Sequence, residues 1–122
     1  MALTTKTLLP LTTYGVPSGN YTGNTPDFIG DAIPAASYYT VKGGGMQTAV
    51  ITAAGFVGVV TLEATLGDIH EQAAWFEVAT YGSATTPTSG TTAVNLLGNF
   101  VWVRARVTEF TSGTINSAIL LY

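Results

Sequence analysis

At 122 residues the chain is one domain's worth, long enough to bury about two-thirds of its unfolded surface. Only 9% of its residues are charged against 47% hydrophobic, far below the roughly 25% charge of an ordinary soluble domain, so its surface must be made of Thr, Ser, Asn, Gly and apolar atoms, which suits a protein packed against copies of itself or a larger body. Four basic residues and a net charge of −3 leave nothing to drive nucleic-acid binding, and the lack of cysteine excludes disulfides, thiolate metal sites and cysteine nucleophiles.

The first segment, "MALTTKTLLPLTTYG", has no apolar run suited to a signal peptide, and no stretch reaches the roughly 18 apolar residues of a membrane-spanning helix. Production and use without Sec export is therefore expected, with no membrane partner. Residues 1–35 hold Pro10, Pro17, Pro26 and Pro34, four of the chain's five prolines. Proline cannot donate to a sheet ladder. Yet the segment carries Leu8, Leu9, Leu11, Tyr14, Phe28 and Ile29, which a disordered tail would lack. These six are the candidate anchors of an extended arm lying on its own domain or on a neighbouring subunit.

Beyond the arm, about one residue in six of the chain is Thr, with many Val, Ile and aromatic residues, as pleated half-buried surfaces prefer. "ASYYTVK" (36–42) alternates and ends at three glycines. "MQTAVITA" (46–53) alternates, "AGFVG" reads as a turn, and "VVTLEATL" (59–66) as the antiparallel partner, with Glu63 sharing a face with two threonines. Residues 69–76 allow a helical turn, although "WFEVATY" reads equally as a strand. "GSATTPTSGTT" (82–92) reads as an exposed polar loop and "AVNLL" (93–97) as a short strand. Finally, Val101, Val103, Ala105 and Val107 alternate with Phe100, Trp102, Arg104 and Arg106, "TSGT" reads as a hairpin turn, and "INSAILLY" as the returning strand. Seven or eight short strands predict an all-β fold: a single antiparallel β-sandwich (jelly-roll or immunoglobulin-like) over residues 36–122, preceded by the arm of residues 1–35.

The small, branched residues at 101, 103, 105 and 107 belong against a core, which leaves Phe100, Trp102, Arg104 and Arg106 on the outer face. Arg104 can lie along Trp102, gaining about 0.5–1 kcal/mol, and the arginines can pair with Glu63 or Glu109. This face reads as covered packing surface, as a subunit interface, or as a sugar-binding platform. Catalysis is not expected. His70 is the only histidine; Asp68 and Glu71 flank it, but zinc would need further His or Cys ligands, and nothing resembles a nucleophile elbow for a triad. No spacing recommends a glycosidase pair among Asp27, Asp31, Glu63, Asp68, Glu71, Glu77 and Glu109. "KGGGMQT" fits no phosphate-loop template, and the sequon at Asn20 is discounted without an export signal. No metal or cofactor is expected.

"MQTAVITAAGFVGVVTLEATL…AAWFEV", a polar loop and "GNFVWVRARVTEFTSGTINSAILLY" together resemble a small β-sandwich module of tailed-bacteriophage virion proteins, similar to those in head-decoration, neck and fibre-like proteins of marine phages. The resemblance spans roughly residues 38 to 122 and is carried by Gly55-Phe56-Val57-Gly58, Trp75-Phe76, the run Gly98 to Ala105, and Gly113-Thr114-Ile115. It implies a non-enzymatic structural protein of the virion: a decoration or cement protein on the capsid exterior, self-associating as a trimer and binding the major capsid protein. The alternative is a carbohydrate-binding or adhesion module of a neck, tail or fibre, meeting surface glycans through Trp102, Arg104 and Arg106.

Overall fold

The computed structural model describes residues 5–35, 46–66, 74–98 and 100–122. Among these residues every regular element is a strand: β1 (Thr5–Leu9), β2 (Thr12–Thr13), β3 (Phe28–Ile29), β4 (Ile33–Pro34), β5 (Met46–Thr65), β6 (Phe76–Leu97) and β7 (Trp102–Leu121). They form one antiparallel sheet. β5 is its centre, paired along its length with β6 on one side and β7 on the other. The four short strands β1 to β4 follow one another along the far side of β7.

The expected chain of short strands is replaced by three strands of 20 to 22 residues. "AGFVG" is not a turn, because β5 runs straight through it; the pairing registers slip at Ala53, Phe56 and Gly58, so the segment is a run of β-bulges. A bulge inserts an unpaired residue and reverses which side chains face inward. Ala49, Ile51 and Ala53 are buried before it, Phe56, Val60, Leu62 and Ala64 after it. "TSGT" likewise lies within β7, beside a register slip between the Ser112 and Thr108 pairings, so the expected final hairpin does not form. The expected loop at 82–92 lies inside β6, where residues 84–87 make an excursion between the pairings of Ser83 and Thr88. "AVNLL" is the end of that same strand. The strand expected at 36–42, most of the helical turn expected at 69–76, and His70 lie outside the described residues.

These bulges bend the sheet. Leu97 pairs with Met46 and Trp102 with Thr65. A straight strand of this length would put Met46 and Thr65 about 60 Å apart, but the five-residue step from Leu97 to Trp102 reaches at most about 18 Å. The two ends of β5 must therefore come close. The ends of β7 do the same: Pro34 pairs with Trp102 at one end, and its carbonyl accepts a 2.9 Å hydrogen bond from the Tyr122 hydroxyl at the other.

At the bend sits an aromatic cluster around the buried Phe110. Tyr21, Phe56, Tyr14 and Phe28 surround it with ring centroids 5.2, 5.5, 5.6 and 6.3 Å away, the tilted and edge-on spacings that aromatic rings prefer. Gly113 closes this end with a φ of 89°, and a Cβ there would collide with the carbonyl of Gly55.

Residues 5–35 are part of the sheet. Leu8, Leu9, Tyr21, Phe28, Ile33 and Ala35 belong to the buried hydrophobic cluster. Leu11, Tyr14 and Ile29, also expected as anchors, remain exposed.

Candidate interaction surface

Alternation along β5 places Thr61, Glu63 and Thr65 on one face, and the register sets them opposite Arg106, Arg104 and Trp102 of β7. The opposite parity, Val103, Ala105 and Val107, is fully buried, as the sequence pattern predicts. Three of the four expected face residues therefore share a surface. Phe100 does not. It precedes the strand, packs against the core and lies edge-on to Phe76 at 5.9 Å. Strand periodicity holds only within a strand, and β7 begins at Trp102.

Glu63 lies at the centre of this face. Arg104 Nε donates to its Oε1 at 2.8 Å, and Arg106 Nε lies 3.5 Å from its Oε2. The Glu63 side chain is 10% exposed, against 24% and 45% for the two arginines. The carboxylate thus exchanges water for two guanidinium groups, the arrangement that makes near-burial of a charge tolerable. Arg104 also lies over an indole, 4.2 Å from the ring centroid, and the indole is Trp75, where the strand pattern alone points to Trp102. Trp75 precedes β6, and the period-2 pattern of β7 carries no signal for it.

Beside Arg106, residues 20–29 border an open groove of about 580 Å³ lined by Asn20, Thr22, Thr25, Asp27, Phe28, Ile29, Arg106 and Thr108. Ile29 is there because it pairs with Arg106 across the β3–β7 ladder. Asp27 Oδ1 accepts the backbone N–H of Glu109 at 3.0 Å, and Asn20 Nδ2 donates to the Ile29 carbonyl and to Asp31 Oδ1. Glu109 is the only described non-glycine residue with positive φ, at 56°. The Asp27 contact holds that strained backbone at the rim of the groove. The sequence marks Phe28 and Ile29 as anchors and Arg106 as a face residue but does not bring them together; the groove arises from where β3 docks.

The arrangement offers hydrogen-bonding and packing groups. Glu63 and Glu77 are paired in register, but both oxygens of Glu63 face arginines, so it serves as their counter-ion. Among the described residues no three of His, Cys, Asp and Glu gather where they could hold a metal ion. Burial raises the hydroxyl pKa of both Tyr81 and Tyr122 above the ordinary tyrosine value. Compared with models of known protein families, with curated proteins and with solved structures, the chain matches none.

Proposed function

We propose that this chain is a structural protein of a phage virion, a decoration or cement protein that self-associates and clamps the capsid exterior, with the bent sheet closing into a two-layered β-sandwich. The observation that carries this reading is the arm's division of labour. Leu8, Leu9 and Phe28 lock it to β7, while Leu11, Tyr14 and Val16 stand 60%, 50% and 55% exposed around one turn. Apolar groups presented this way on a charge-poor surface mark a contact with another protein, here the major capsid protein.

The test is copy number in purified virions, by quantitative mass spectrometry, combined with rebinding of the purified chain to stripped capsids. Copies comparable to the major capsid protein, and rebinding weakened by Leu11→Ser with Val16→Ser while the circular dichroism spectrum is unchanged, are expected. Absence from particles would overturn the reading.

The groove beside Arg106 favours a second reading, a glycan-binding or adhesion module. Its Asn, Thr, Asp and Arg side chains offer donors and acceptors to sugar hydroxyls, with Trp102 and Arg104 on the neighbouring strand face. A glycan array giving a specific signal that Arg106→Ala abolishes would support it.

A further inference from the structure

The sheet has two edges, and they are built differently. On one side the arm lies against β7 in four short pieces, with Pro10, Pro17, Pro26 and Pro34 spread along it. Short, proline-interrupted segments are how proteins stop an edge from recruiting another strand. On the other side β6 runs for 22 residues with only Pro87 and Glu77 to interrupt it. Its second half, 88–97 (TSGTTAVNLL), carries neither charge nor proline and pairs continuously with β5 from Gly90 to Leu97. Its other edge has no partner strand among the described residues. Regular from Gly90 to Leu97 and rich in Thr, this edge lacks the charges and prolines that usually guard against strand addition.

We propose that residues 88–97 of β6 pair antiparallel with the same segment of a second copy of this chain. The occupant follows from three features of the molecule. No like charges oppose one another when this segment meets itself. A threonine-rich strand also supplies the cross-strand pairs that stabilise such ladders; within the chain, Thr91 already bonds Thr52 at 3.0 Å. Finally, the proline-broken edge cannot receive β6 in a head-to-tail manner. With one recruiting edge per chain, edge pairing must be isologous and two-fold, so assemblies contain even numbers of copies. This deepens the self-association part of the virion reading and departs from a simple trimer.

Light scattering of the full chain over a dilution series, with hydrogen–deuterium exchange at each concentration, tests it. A dimer or other even oligomer is expected, with amides of residues 88–97 protected more strongly as concentration rises. Ala93→Lys, an exposed substitution that places an ammonium on both sides of the pair, should weaken association on the order of tenfold. A monomer at tens of micromolar, a trimer, or association that leaves exchange in residues 88–97 unchanged would overturn the pairing. Capsid binding by a chain that proves monomeric would sink this inference, and with it self-association, and leave the capsid-binding part of the virion reading standing.

Discussion

Glu63 faces two arginines that reach water more readily than it does, and this asymmetry orders the effects of removing each partner. Glu63→Ala leaves Arg104 and Arg106 side by side without a counter-ion and should destabilise by about 1–3 kcal/mol, less than a fully buried pair because both guanidiniums can turn toward solvent. Arg104→Ala should cost less, since Arg106 still serves the carboxylate, though the Trp75 stack is lost as well. Arg106→Ala, at the most exposed position, should stay within about 1 kcal/mol. Urea denaturation of the three variants gives the order directly, and a loss for Arg106→Ala larger than for Glu63→Ala would contradict the geometry. Glu109 offers a change of opposite sign. Its left-handed backbone strains an L side chain by about 1–2 kcal/mol, so Glu109→Gly should raise stability by up to about 1 kcal/mol in the same assay. Tyr81 and Tyr122 lower stability at alkaline pH. Unfolded, Tyr81 and Tyr122 ionise near their ordinary value of 10.0; folded, burial holds the proton to higher pH. Folded chains therefore bind more protons above pH 10, so stability is intact below that pH and falls as pH rises through the folded values. Thermal melts between pH 9 and 12 should show this fall, and Tyr81→Phe with Tyr122→Phe should flatten it.

The elements show which parts of the fold could be read along the chain. Period-2 patterning identifies β-structure throughout and sorts the faces of β7 from Trp102 to Val107 and of β5 from Val60 to Thr65. It fails at "AGFVG" and "TSGT", where glycine with positive φ belongs equally to a tight turn and to a bulge. The choice between them is made by pairing partners far away in the chain, with β5 holding β6 and β7 in register on both sides of each slip. The polar run at 82–92 misleads for a related reason: an edge strand exposed to solvent has the composition of a loop. Trp75 and the groove by Arg106 are invisible for the same cause, since both depend on which segments the bend brings together. The bend itself can be probed at Gly113. Gly113→Ala combines an unfavourable φ with a collision against the Gly55 carbonyl, and the neighbour is backbone that cannot turn aside. A loss of about 2–3 kcal/mol is expected, read as a lower urea midpoint. A neutral result would mean that β5 and β7 do not cross here as closely as described.

At the scale of the whole molecule, the first 35 residues have two roles that pull apart experimentally. A segment rich in proline ahead of a patterned domain invites the reading of a detachable arm, free to be cut away while the domain stands. The structure makes residues 5–35 the fourth row of the sheet. Among the described residues this segment contributes six of the 22 buried hydrophobic ones, and its strands supply the outer partners of β7 from Leu121 back to Trp102. Burying Leu8, Leu9, Tyr21, Phe28 and Ile33 contributes about 1.5–3 kcal/mol each, together comparable to the about 5–15 kcal/mol that holds a whole domain folded. A chain beginning at residue 36 should therefore lose cooperative unfolding and, with the long edge of β7 newly bare, aggregate. Loss of capsid binding in that truncated chain would say nothing about what the arm touches, which is why the exposed turn at Leu11 and Val16 is the place to test contact. Supplying residues 1–35 as a separate peptide should restore near-ultraviolet circular dichroism, because the missing row can dock on β7 without a covalent link. A truncated chain that unfolds cooperatively on its own, with a midpoint close to that of the full chain, would show that these residues decorate the sheet rather than complete it.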